Sequence, residues 1–141
     1  MAKDDVIMWF DMVEGFEAKL QTAVDHINKG GYVPEYGDVA WNLSFMSTVC
    51  VREFARDMGK LTPEDIALLE EYYRVHRANK TRTTSIRLAS SAVRMIDDIA
   101  KWLVENTSVR HVYHGDAPNR KLIVLFAIYH IYHLATHPQQ P

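Results

Sequence analysis

The chain has 141 residues, 48% hydrophobic and 24% charged, with a single cysteine and a formal net charge of −2. That is one domain's worth of sequence with enough apolar residues for its own core, which excludes a disordered polyelectrolyte and a disulfide scaffold. The near-neutral total hides a split: residues 1–71 carry fourteen acids against six Lys/Arg, and residues 72–141 carry four acids against ten.

Apolar residues at Val6, Phe10, Val13, Phe16, Leu20, Val24 and Ile27 follow helical spacing and predict a first helix that Gly30-Gly31 ends. A connection over Tyr32–Gly37 leads to Asp38, which can cap a second helix carrying Val39, Leu43, Met46, Cys50 and Phe54 up to Gly59. Among those neighbours Cys50 reads as a buried free thiol. Thr62-Pro63-Glu64-Asp65 is the strongest start signal, combining a cap, a first-turn proline and an answering acid. It opens a third helix from Pro63 to about Asn79.

Thr81, Thr83, Thr84 and Ser85 favour caps over helix interiors and predict a break. A fourth helix then turns Ile86, Ala89, Val93, Ile96, Ala100 and Leu103 inward. Residues 107–117 are irregular, with Asp116 and Pro118 suited to start a fifth helix, Asn119 to about Thr136. That helix is apolar nearly all round from Leu122 to Tyr129. It belongs at the centre of a bundle or at an interface between copies. No alternating strand pattern stands out, so the expected fold is all-α: a single-domain five-helix bundle with short connections.

The run Tyr72–Ile96 contains no Asp or Glu, yet holds Arg74, Arg77, Lys80, Arg82, Arg87 and Arg94. An uncompensated basic stretch faces something anionic. If a helix begins at the break, its free amides and the hydroxyls of Thr83, Thr84 and Ser85 would join those side chains in binding phosphate. His76, Tyr72 or Tyr73 could stack on a base. The leading reading is a non-enzymatic binding or regulatory protein that engages a phosphate-bearing ligand, most plausibly nucleic acid, through residues 74–94. The plain alternative is that these cations pair with the chain's own acids.

A second reading makes the acidic first half a protein-interaction surface of inhibitor or immunity type. It expects Asp4, Asp5, Asp11, Glu14 and Glu17 exposed on one face. A third builds a metal or haem site from His111, His114, His130 and His133, whose spacing on and before the fifth helix permits ligation, though no HExxH, paired-Cys or Glu-x-x-His motif accompanies it. No catalytic set or cofactor motif is evident. The Leu122–Leu134 run is too short to cross a bilayer, and Asp4-Asp5 stand where a leader would be basic, so a cytoplasmic protein without membrane contact is expected.

Overall fold

The computed structural model describes residues 5–29 and 43–137. In chain order these form β1 (Val6–Met12), α1 (Phe16–Lys29), α2 (Leu43–Asp57), a 3-10 turn at Met58–Lys60, α3 (Pro63–Ala78), β2 (Arg82–Leu88), α4 (Ser90–Asn106), β3 (Tyr113–His114), β4 (Ala117–Pro118) and α5 (Arg120–Thr136). The fold is predominantly helical but not all-α, because two small antiparallel sheets accompany the helices: β1 with β2, and β3 with β4.

The larger sheet corrects two expectations. Val6–Met12 begins not a helix but a strand, and the break at Thr81–Ser85 continues into another. Both segments are rich in β-branched or aromatic residues, which suit a pleated surface. The apolar run in Val6–Met12 is dense enough to satisfy either period, and only its pairing with β2 decides between them. Gly15, at φ +78, supplies the left-handed turn between β1 and α1. The expected helix ends at Gly30-Gly31 and Asp38, and the Tyr32–Gly37 connection, lie outside the described residues.

α3 forms as the sequence indicates. Thr62 Oγ1 accepts from the Asp65 N–H at 3.2 Å, and the Asp65 carboxylate accepts from the Thr62 N–H at 2.9 Å, closing a capping box with Pro63 in the first turn. Thr62→Ala should therefore lower stability by about 1 kcal/mol, read as a reduced urea midpoint with unchanged m-value.

α4 begins at Ser90 rather than Ile86 and buries Ala92, Val93, Ile96, Ile99, Ala100 and Leu103. α5 is capped by Asn119, whose Oδ1 accepts from Leu122 N–H, while Pro118 lies in β4 and not in the helix. Every residue from Leu122 to Tyr129 is buried. They pack against α1, α2, α3 and α4, so α5 is the centre of the fold and exposes no apolar stripe for self-association. Phe10, Phe16 and Phe54 complete the core around it. Burying each such ring contributes about 1.5–3 kcal/mol. Cys50 is fully buried, and burial pushes its thiol far above the usual range. No described helix is long and apolar enough to cross a membrane.

Candidate nucleic-acid interface

The acid-free stretch runs from the end of α3, through β2, into the first turns of α4. β2 pairs antiparallel with β1 in the register Ile7↔Arg87, Trp9↔Ser85 and Asp11↔Thr83 on one face, with Met8↔Ile86 and Phe10↔Thr84 on the other. Because strand side chains alternate, Ile86, Leu88 and Phe10 enter the core while Ile7 and Trp9 turn outward. Trp9 stands 67% exposed and Ile7 59%. The outer face thus places an aromatic ring, two hydroxyls and a guanidinium in adjoining rows.

This arrangement replaces the helix-start phosphate site expected from the sequence. Thr83, Thr84 and Ser85 lie within a strand, and the helix after it starts at Ser90. Their backbones form a ladder with β1, and it is their hydroxyl side chains that remain as possible donors. Thr84 faces Phe10 on the inner side, so only Thr83 and Ser85 share the outer face with Trp9.

The cations divide into two groups. Arg74 is clamped by Glu71 one turn earlier on α3, which holds the Glu71 carboxyl below its ordinary range. Lys80 lies 3.6 Å from Asp11 Oδ1, and Lys121 donates to Asp11 Oδ2 at 3.2 Å. Arg82 reaches Glu17 at 3.6 Å across an exposed gap, a pair worth little in water. Arg77 packs over the Tyr73 ring at 5.7 Å. Neither Arg77 nor Arg94 forms an ion pair among the described residues, and both are exposed. The Arg87 side chain is exposed opposite Ile7, and its N–H donates to Ser44 Oγ at 2.9 Å. Part of the charge split is therefore internal complementarity, centred on Asp11.

Asp11 also bears on the reading of the acidic half as a masking surface. It is 3% exposed and flanked by two lysines, so it cannot belong to a continuous acidic face. Glu17 is turned toward Arg82, and Asp4 lies outside the described residues.

His76 is not a stacking surface, because it is buried at the hub of a polar network. Its Nε2 lies 2.7 Å from the Asp11 carbonyl and its Nδ1 2.7 Å from the Tyr129 hydroxyl. A carbonyl only accepts, so Nε2 carries the proton and Nδ1 accepts from the Tyr129 O–H. Burial, the largest influence, lowers the His76 pKa and raises that of Tyr129. Tyr72 stacks on Tyr129 at 4.9 Å and bonds His133 Nδ1 through its hydroxyl at 3.0 Å. A groove of about 360 Å³ lined by Lys19, Tyr72, His76 and Tyr129 opens here, but both nitrogens of His76 are already engaged within the protein.

The histidines proposed as metal ligands have separate roles. His130 bonds Asp57 at 3.0 Å, and His133 bonds Tyr72 and stacks on His137 at 4.2 Å. His111 adopts φ 64 in the loop before β3, where its carbonyl accepts from Asn119, and His114 sits in β3. Among the described residues no group of three or more His, Cys, Asp or Glu is arranged to hold a metal ion.

No known protein family, curated protein or solved structure matches the chain. The reading of the site therefore rests on its own chemistry. Trp9 and Ile7 are the residues that sequence reasoning did not place in it. The signal available was the near-continuous apolar run of Val6–Met12, which has more hydrophobic positions than one helix face can bury.

Proposed function

We propose that the chain is a non-enzymatic, single-stranded nucleic-acid-binding protein whose contact surface is the outer face of β1 and β2. The observation that carries this reading is Trp9, exposed on a sheet face directly across from Ser85 and beside Thr83 and Arg87. A flat aromatic ring stacks on any base, hydroxyls and guanidinium groups bond phosphate, and a sheet face holds them in fixed rows. Arg82 alternates with Thr84 onto the opposite face, across from Met12, so it adds charge at the margin of the surface rather than in its rows, where its weak solvent-exposed pair with Glu17 yields readily to a phosphate. Arg77 and Arg94 extend the positive field at either end of the stretch.

A protein partner is the second reading, favoured by the exposed apolar pair Ile7 and Trp9. Ionic strength separates the two. Neutralising three phosphates of a single strand predicts an affinity loss of roughly 20-fold between about 50 and 200 mM salt, whereas an apolar contact is nearly insensitive to it. Fluorescence anisotropy with labelled DNA and RNA oligonucleotides should show that loss. An Arg82/Arg87/Arg94→Ala variant should bind more weakly and with a flatter salt slope. Unchanged affinity in that variant would sink the proposal.

A further inference from the structure

The hydrogen bonds around the β1–β2 pair identify a strand edge left open among the described residues. The Arg87 N–H is spent on Ser44 Oγ at 2.9 Å, so it points away from β1 and toward α2. Antiparallel strands alternate bonded and non-bonded pairs, which makes Ile7↔Arg87, Trp9↔Ser85 and Asp11↔Thr83 the non-bonded ones. The N–H and C=O groups of Ile7, Trp9 and Asp11 therefore aim away from β2. Two further contacts agree. The Asp11 carbonyl accepts from His76 on the side away from β2, and the Met12 carbonyl accepts from Thr81 on the side toward it. His76 thus closes the β1 edge at Asp11, and Ser44 closes the β2 edge at Arg87. At Ile7 and Trp9 the edge has no partner among the described residues.

We infer that β1 pairs with β1 of a second copy of the chain, joining two ribbons into a four-stranded antiparallel sheet. The inference goes beyond the binding function proposed above and does not depend on it. What commits the edge to a second copy is that it is self-complementary. A two-fold axis through Met8 places Ile7 of each copy opposite Trp9 of the other, and those are the residues whose backbone groups point outward. Each Ile7–Trp9 pair then exchanges both of its N–H···O=C bonds. Both side chains of the pair lie on the same outer face, where an aromatic and a β-branched residue make a favourable cross-strand contact.

The pairing is bounded on each copy by His76, which occupies the edge at Asp11, so the bonded pairs are the two Ile7–Trp9 pairs around the axis. An unprotected apolar edge is otherwise a liability that soluble proteins cover or charge, and among the described residues nothing covers Ile7 and Trp9. The joined sheet carries the rows Arg87–Ile7–Trp9–Ser85 across both copies, with arginines at the margins and the two tryptophans near the axis.

Sedimentation velocity of the purified chain without nucleic acid tests this. Wild type should sediment at twice the monomer mass at high micromolar concentration. Ile7→Lys/Trp9→Lys, which changes only exposed side chains, should lose the dimer while keeping the far-ultraviolet circular dichroism of the folded chain. Met8→Cys should cross-link to itself on oxidation, because residues on the axis form a non-bonded pair with Cα atoms about 4.5 Å apart, within disulfide reach. A wild type that stays monomeric overturns the inference, as does a dimer that survives the lysine substitutions. A dimer without the Met8→Cys cross-link overturns the register and the inference with it.

Discussion

His76→Ala is expected to cost about 2–5 kcal/mol in urea unfolding at neutral pH, because it leaves the buried Asp11 carbonyl and Tyr129 hydroxyl unpaired and opens a cavity between Phe16 and Tyr129. Tyr129→Phe removes one of those partners and should cost less, about 1 kcal/mol, with packing retained. The same histidine gives the fold a pH dependence of defined sign. Burial, the dominant influence, holds its pKa below the ordinary 6.5, with Lys19 and Lys121 acting the same way and the Asp11 carbonyl and carboxylate opposing them.

As pH falls through 6.5 the unfolded chain takes up a proton that the folded chain refuses, so stability declines until the folded imidazole also protonates. Above 6.5 both states are neutral and the group contributes no slope. His133, also lowered by burial and by the neighbouring His137, adds a decline of the same sign. Urea midpoints measured across this range should fall more steeply in wild type than in His76→Ala. Equal slopes would contradict the assignment.

Trp9→Ala should weaken binding of a single-stranded oligonucleotide by about 5- to 150-fold, the range expected when one base loses a stacking partner worth about 1–3 kcal/mol. Stability should hardly change, since the ring is 67% exposed. Trp9→Phe should retain part of the affinity, because the π-face rather than the indole N–H makes the contact. Trp102→Phe, placed in a separate groove beside Glu70 and Glu105, should retain all of it. Equal affinity in wild type and Trp9→Ala, measured by anisotropy at low salt, would remove the stacking contact from the account.

The helical part of the fold was legible because its signals are local. The Thr62–Asp65 box announces α3, the spacing of Val93, Ile96, Ala100 and Leu103 gives the buried face of α4, and the unbroken run Leu122–Tyr129 marks α5 as central. The β1–β2 sheet was not legible because its signal is non-local. Val6–Met12 reads as well at helical as at strand period, and its partner lies far along the chain beyond three helices.

The site suffered from the same gap. Thr83, Ser85 and Arg87 stand out as part of a basic, hydroxyl-bearing stretch, yet the sequence suggests a helix start there because nothing nearby shows that Trp9 and Ile7 lie across from Ser85 and Arg87. The charge split was visible from composition. Its resolution was not, since Asp11 meets Lys80 and Lys121 only once β1, the loop after α3 and the first turn of α5 have come together.

The central claim is that single-stranded nucleic acid lies across the outer face of β1 and β2, and ultraviolet cross-linking followed by peptide mapping tests it most directly. With an oligonucleotide bound at low salt, the account predicts that the cross-linked peptide contains Trp9 and that the adduct is lost in Trp9→Ala. Cross-links confined to Trp102 or to the α4–α5 side of the molecule, or no complex to cross-link at low salt, would contradict it.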